Sequence, residues 1–147
     1  MKPSISVVST LYYSSETIDS FIMQCEKFLN EITPNHEIVL IDDGSPDDSV
    51  KKALKYSGSI KIVSFNRNYG HHHAMLAAVE HAKGDFVFLI DSDLEESPSL
   101  LLDFWNELKK NTEADVIYGV QDVRRGNFSE RVFGSLFYKI FNFFSDV

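Results

Sequence analysis

Three carboxylates at alternate positions, Asp91, Asp93 and Glu95, directly follow the apolar run at 86–90. The run is short, aromatic and β-branched, which predicts a buried strand. If the extended backbone continues, alternate side chains point the same way, and a divalent cation relieves the repulsion between their carboxylates. We therefore predict that these three residues bind Mg²⁺ or Mn²⁺, and that the bound cation attracts the phosphates of a nucleotide-linked substrate. The alternative is an acidic loop that only caps the following helix.

A second acidic loop, Asp42-Asp43-Gly44-Ser45, follows another strand-like run at 37–41. Either carboxylate could accept hydrogen bonds from a base N–H group or a ribose hydroxyl. Turn formation alone explains Gly44 and Ser45. It does not explain two aspartates after a buried strand, so we predict that at least one of them contacts a ligand.

Basic residues that could bind phosphate occur in two further loops. Arg67 offers a forked set of donors, and the helix predicted to begin at Gly70 presents amide groups that favour anions. Arg124 lies after the last predicted strand and could close over a diphosphate. The alternative for both arginines is an exposed surface charge. The histidines at 71–73 do not predict a metal site, because neighbouring helical side chains point about 100° apart and at most one would face the site.

Strand-like and helix-like segments alternate, which predicts an α/β fold: a doubly wound, mainly parallel sheet with helices on both faces. Ligands in such sheets bind beyond the carboxyl ends of the strands, where the polar loops of this chain also fall. The predicted strands are 5–10, 37–41, 59–64, 86–90 and 115–119, and the predicted helices are 17–30, 49–56, 70–82 and 98–110.

Composition excludes some classes of function. The net charge of −8 argues against nucleic-acid binding, which needs lysine and arginine. Cys25 is the only cysteine, which favours a reducing compartment and a cytoplasmic protein. Apolar residues recur at helical spacing over 128–144, so this segment is predicted to be an amphipathic helix. It could lie on the cytoplasmic face of a membrane or pack against protein. We divide the chain into domains at 1–127 and 128–147.

Five blocks of this sequence, in this order and spacing, resemble family-2 glycosyltransferases of the GT-A fold. The likeness is strongest to the polyprenyl-phosphate (dolichyl- and undecaprenyl-phosphate) sugar transferases. The blocks are Val7-Val8-Ser9-Thr10-Leu11-Tyr12, Ile41-Asp42-Asp43-Gly44-Ser45-Pro46-Asp47, Arg67-Asn68-Tyr69-Gly70, Asp91-Ser92-Asp93-Leu94-Glu95 and Tyr118-Gly119-Val120.

The resemblance implies roles for individual residues. Asp91 and Asp93 would hold the metal, with Asp93 as the catalytic carboxylate, and Glu95 stands where the family has a glutamine that also reaches the metal. Thr10 stands where the family usually has proline. The residues that the resemblance assigns to the nucleotide-sugar pocket are Thr10, Leu11, Tyr12, Asp42, Asp43, Arg67, Ser92 and Arg124.

The implied activity is metal-dependent, inverting transfer of a sugar from a UDP-, GDP- or dTDP-linked donor to an acceptor, which we expect to be polyprenyl phosphate. The resemblance also implies that an acceptor-binding half follows 128–147. One alternative is a module that binds nucleotide sugar and metal without turnover. A second is a phosphoryl-accepting domain of the receiver type, which needs a lysine after the fifth strand where this chain has Gly119-Val120-Gln121.

Overall fold

Strands and helices alternate in the computed structural model, which describes residues 3–56, 58 and 60–120. The chain divides into two units, Met1–Ala114 and Asp115–Val147, and all of the described helices and strands belong to the first. They are β1 (Ile5–Leu11), α1 (Ile18–Ile32), β2 (His36–Asp42), α2 (Ser49–Ala53) with a 3₁₀ turn at Leu54–Tyr56, β3 (Ile60–Ser64), α3 (His71–His81), β4 (Phe86–Leu89) and α4 (Leu100–Lys110).

The four strands form a parallel sheet in the order β3-β2-β1-β4. Ile5 of β1 lies opposite His36 of β2 and Phe86 of β4, so the three strands begin at one level, and β4 ends at Leu89, opposite Val8. The chain adds β2 and then β3 on one side of β1, and it then adds β4 on the other side of β1. The order of the strands therefore reverses between β1 and β4, which is the position where open α/β sheets bind ligands.

Helices cover both faces of the sheet, as predicted. On one face α1 buries Ile18, Phe21 and Ile22 at helical spacing, and residues of α2 and α4 join the same apolar cluster. On the other face α3 packs through Ala74 and Ala78. Small side chains at these two positions let α3 approach the sheet closely, and this fixes where its first residues lie.

β4 corrects the prediction of a buried strand. Phe88 and the following Ile90 are buried, but Phe86, Val87 and Leu89 are 38–45% exposed. Within the described residues, β4 pairs with a neighbouring strand, β1, on one side only. The apolar run does form a strand, as predicted. Its composition does not show whether that strand lies at the edge of the sheet.

The predicted fifth strand at 115–119 was wrong. The described residues 115–120 adopt no strand, and Val116, Tyr118 and Val120 are each more than 70% exposed. A run of apolar and aromatic residues forms a strand only where a neighbour supplies hydrogen bonds and a surface to pack on. In the part of the chain that the structure describes, no helix is both long and apolar enough to cross a bilayer. The predicted amphipathic segment at 128–144 lies outside the described residues.

Candidate functional site

A cavity of about 420 Å³ opens at the carboxyl ends of the strands, where the strand order reverses between β1 and β4. Its volume is within the range of about 300–1,000 Å³ that small-molecule sites occupy. The loops that follow β1, β2, β3 and β4 all contribute to its wall. The lining residues are Thr10, Tyr12, Ser14, Asp43, Asn68, Gly70, His71, Asp91, Ser92 and Asp93.

Ser92 ties the acidic loop after β4 to the end of β1. Its hydroxyl donates a hydrogen bond to the Thr10 carbonyl oxygen at 2.7 Å and lies 3.0 Å from the Ser14 hydroxyl. Ser92 is 4% exposed, so this contact is made inside the protein. The anchor leaves the residues on either side of it, Asp91 and Asp93, in the wall of the cavity.

Asp91 has a carboxylate oxygen that the protein does not satisfy. Its Oδ1 atom is buried and has no hydrogen-bond partner among the described residues, and the His71 Nε2 atom lies 3.6 Å away. A buried acceptor without a partner costs free energy. A ligand cation or a donor that moves closer would remove that cost, so the chemistry of this wall fits a divalent ion.

Glu95 does not join the two aspartates. The Asp93 Oδ1 atom accepts a hydrogen bond from the Glu95 N–H group at 2.9 Å, and Leu94 between them has a left-handed φ of 65°. This turn ends the extended backbone that would have placed all three carboxylates on one side. In the described ranges, no group of three or more histidine, cysteine or acidic residues is arranged to hold a metal ion. Mg²⁺ and Mn²⁺ sites commonly add water and substrate phosphate to one or two carboxylates.

Asp42 and Asp43 both accept hydrogen bonds from the backbone. The Asp43 carboxylate, 2% exposed, accepts the N–H groups of Tyr69 at 2.7 Å and Gly70 at 3.0 Å. The Asp42 Oδ1 atom accepts the Ser45 N–H group at 2.8 Å. These bonds fasten the loop after β2 to the start of α3 and account for two aspartates at this position. Asp43 still forms part of the cavity wall.

Gly44 is required where these two loops meet. Its φ is +67°, and a Cβ atom there would lie 2.7 Å from the backbone carbonyl carbon of Arg67. Any other residue would be strained by the left-handed backbone and would also push the loops apart.

Asp47 connects the loops after β1 and β2 through its carboxylate. Its carboxylate accepts hydrogen bonds from the Ser45 hydroxyl at 2.6 Å, the Ser15 N–H group at 2.9 Å, and both the N–H and hydroxyl groups of Ser49. Desolvation alone would raise the pKa of Asp47, but these hydrogen bonds outweigh it and hold the pKa well below its usual range.

Four predicted site residues do not line the cavity: Leu11, Asp42, Arg67 and Glu95. Leu11 is fully buried in the core, which corrects its assignment to the pocket, because a side chain with no exposed surface cannot contact a ligand. The Arg67 guanidinium lies 4.8 Å over the Tyr69 ring, and Arg67 is exposed and absent from the cavity wall. Glu95 is exposed, as described above. Arg124 lies outside the described residues.

Three residues of the cavity wall were not assigned a role from the sequence: Ser14, Asn68 and His71. Ser14 and Asn68 belong to loops that were recognised as polar, but nothing in their types distinguished them from their neighbours. His71 is the one member of the histidine run at 71–73 that lines the cavity. This agrees with the expected 100° separation of adjacent helical side chains.

A parallel sheet with this order and a cavity at its switch point is the architecture of GT-A glycosyltransferases. One solved neighbour is the mannosyltransferase PcManGT from Pyrobaculum calidifontis, in complex with GDP-Man and Mn²⁺. It matches with a TM-score of 0.57 at 20% identity, over 63% of this chain and 28% of that one. At that identity the likeness shows the fold alone.

The family model "Glycosyl transferase family 2" matches residues 6–146, and the chain therefore belongs to that family. The match confirms the family resemblance and the predicted enzyme class, and it removes the receiver-type alternative.

The relatives are longer than this chain. A Mycobacterium tuberculosis (strain CDC 1551 / Oshkosh) protein, whose name gives glycosyltransferase but no donor or acceptor, is 42% identical over 83% of this chain and 36% of its own length. The undecaprenyl-phosphate 4-deoxy-4-formamido-L-arabinose transferase of Klebsiella pneumoniae (strain 342) is 32% identical over 94% of this chain and 42% of its own length. The chain thus spans less than half of either relative.

Proposed function

We propose that this chain forms the donor-binding domain of a glycosyltransferase that binds a nucleotide-diphosphate sugar together with Mg²⁺ or Mn²⁺. The observation that carries the proposal is the pair of carboxylates, Asp91 and Asp93, in the wall of a cavity at the switch point of the sheet. The mannosyltransferase of the same fold, solved with GDP-Man and Mn²⁺, supports a donor and metal of this kind.

Asp91 and Asp93 would hold the cation, which supplies compensation for the charge that builds on the diphosphate leaving group. Asp93 is the proposed catalytic carboxylate because it is exposed as well as part of the cavity wall. Glu95 would need the turn at Leu94 to open before it could reach the same ion.

The remaining wall suits a base and a ribose. Thr10 and Tyr12 at the end of β1 offer a hydroxyl group and a half-exposed ring on which a base could stack. The side-chain amide of Asn68, opposite them, offers a donor and an acceptor for a sugar hydroxyl. Arg67 and Arg124 are proposed to approach the diphosphate, which for Arg67 requires its guanidinium to leave the Tyr69 ring.

We propose polyprenyl phosphate as the acceptor and inversion as the stereochemical course. The Klebsiella relative named for undecaprenyl phosphate supports the acceptor class. A lipid phosphate is already anionic, so less help from a general base is needed. We propose that the enzyme acts at the cytoplasmic face of a membrane, where such an acceptor is held.

Thermal shift and calorimetry test the donor site. UDP-, GDP- and dTDP-sugars are each added with Mn²⁺, and the correct donor raises the melting temperature because it binds the folded state only. Asp93→Asn is then compared by calorimetry with Asp103→Asn, which changes an exposed aspartate on α4. We expect Asp93→Asn to abolish metal-dependent nucleotide binding and Asp103→Asn to leave it unchanged. Equal affinity in the two variants would refute the role of Asp93.

A module that binds donor and metal without turnover remains the second candidate, since the chain spans less than half of its relatives. Incubation of the chain with a labelled donor, Mn²⁺ and a polyprenyl phosphate separates the two functions. Labelled lipid product supports transfer by this chain, and donor binding without product supports the module.

A further inference from the structure

His71 bridges the two strands that flank the cavity. It is the first residue of α3, and its imidazole lies between the end of β1 and the acidic loop after β4. The Nδ1 atom is 3.4 Å from the Thr10 hydroxyl, and the Nε2 atom is 3.6 Å from Asp91 Oδ1. A single ring thus faces a hydroxyl with one nitrogen and the unsatisfied carboxylate oxygen with the other.

The chemistry of the three groups permits one consistent arrangement for a neutral ring. Thr10 can donate its hydroxyl proton to Nδ1, which leaves the ring proton on Nε2. An ionised carboxylate only accepts hydrogen bonds, so the Nε2–H group is a suitable partner for Asp91 Oδ1. The distance of 3.6 Å is a few tenths of an ångström too long for a hydrogen bond. A small movement of either side chain would form it and satisfy the buried oxygen.

Thr10 is well placed to fix the orientation of the His71 ring. Its side chain is 8% exposed, and its carbonyl oxygen is held by the Ser92 hydroxyl. The Asp91 side chain is 41% exposed although Oδ1 is buried, so the exposed surface belongs to its other atoms. A hydrogen bond to Oδ1 would fix the orientation of the carboxylate group in the cavity wall. Hydrogen bonds to the ligands of a metal commonly orient them in this way.

We propose that His71 is a positioning residue, which together with Thr10 orients the Asp91 carboxylate for cation binding. The inference rests on the proposed function, because Asp91 matters here as a metal ligand. It assigns the N–H group of His71, rather than its bulk or its ability to bind metal, as the feature that is needed.

The test is the Mn²⁺ affinity of the chain, measured from the EPR signal of free Mn²⁺ in the presence of UDP, GDP or dTDP, whichever raises the melting temperature most. His71→Leu removes the donor, and we expect about 10-fold weaker Mn²⁺ binding, at the lower end of the 10- to 100-fold range typical of residues that orient metal ligands. His71→Gln keeps an N–H donor at similar reach and should stay within about threefold of the parent. His73→Leu is the matched control, since His73 is exposed and lies outside the cavity wall.

A double-mutant cycle tests the bridge to Thr10. Thr10→Val should weaken Mn²⁺ binding in the parent but have little further effect in the His71→Leu background, because the two residues act through one contact. His71→Ala replaces His71→Leu if the latter loses cooperative thermal unfolding.

The possible outcomes separate the two hypotheses. Failure of the parent to bind Mn²⁺ with any of the nucleotides overturns both. A parent that binds Mn²⁺ together with an unimpaired His71→Leu variant overturns only the role of His71. Equal losses in His71→Leu and His71→Gln would assign the effect to the shape of the ring and would likewise overturn the proposal.

Discussion

Removal of the Asp43 carboxylate tests whether the site is built by backbone hydrogen bonds to a buried acid. Asp43 is 2% exposed and holds the amide groups of Tyr69 and Gly70, the two residues that precede α3. Asp43→Ala leaves both donors without their acceptor. Asp43→Asn keeps one acceptor oxygen but turns an NH₂ group toward the second amide.

The expected loss of stability follows from the two hydrogen bonds that the Asp43 carboxylate accepts. A hydrogen bond to a charged group contributes about 1.5–3 kcal/mol, so we expect Asp43→Ala to lower the free energy of unfolding by about 3–6 kcal/mol and Asp43→Asn by about 1.5–3 kcal/mol. Domains of this size are stable by about 5–15 kcal/mol in total, so the alanine variant would be only marginally folded.

Urea denaturation followed by the fluorescence of Trp105, the only tryptophan, measures these losses. With a slope of about 1–3 kcal/mol per molar urea, the alanine variant should unfold at least about 1 M earlier than the parent. Asp48→Ala is the control, because the Asp48 side chain is 69% exposed and its ion pair with Lys51 is 3.8 Å long and exposed. Equal losses in Asp43→Ala and Asp48→Ala would refute the reasoning.

Three further predictions concern the same loops and the core. Gly44→Ala should lower the free energy of unfolding by about 2 kcal/mol or more, because an L-residue in the left-handed conformation costs about 1–2 kcal/mol and the added Cβ also meets backbone. Gly58→Ala, at a φ of +144° where the added Cβ meets no atom within 4 Å, is the comparison without a steric clash in the same urea assay. The lowered pKa of Asp47 stabilises the fold above its unfolded pKa of about 3.9, and this contribution is lost as the pH falls below that value. Asp47→Asn should therefore be less stable than the parent at neutral pH and lose less stability between pH 5 and 3, whereas parallel pH curves for parent and variant would contradict the hydrogen-bond account. Burial raises the pKa of the Cys25 thiol to about 12, so Ellman's reagent should label it at the rate of unfolding and not at the rate of a free thiol.

The sequence predicted most of the fold because hydrophobic periodicity and turn residues act locally. The apolar positions of α1 and the two alanines of α3 fall at helical spacing, and each predicted strand through β4 lies within one or two residues of the observed one. Exposure of β4 and the absence of a strand at 115–119 could not be predicted in the same way. Both depend on which strands become neighbours, and that is a property of the whole sheet.

The loops of the site were predicted from the sequence. The sequence did not show which of their carboxylates accept backbone hydrogen bonds and which are left for a ligand. A pair of aspartates after a strand has the same composition whether its carboxylates accept backbone amides, as Asp42 and Asp43 do, or face a cavity, as Asp91 does. The difference is set by nearby N–H groups, whose positions follow from the turn at Gly44 and from the start of α3.

The contrast between the two acidic loops also explains why the cavity wall is suited to a cation. The loop after β2 uses its carboxylates in hydrogen bonds, from Asp42 to Ser45 within the loop and from Asp43 to the two residues that precede α3. The loop after β4 is held instead by the Ser92 hydroxyl, so its anchoring does not consume the Asp91 carboxylate. Ser92 therefore fastens the loop with a neutral hydroxyl group and leaves the negative charge of Asp91 available for a ligand. Ser92→Ala should accordingly loosen the loop and weaken Mn²⁺ binding although it removes no charge.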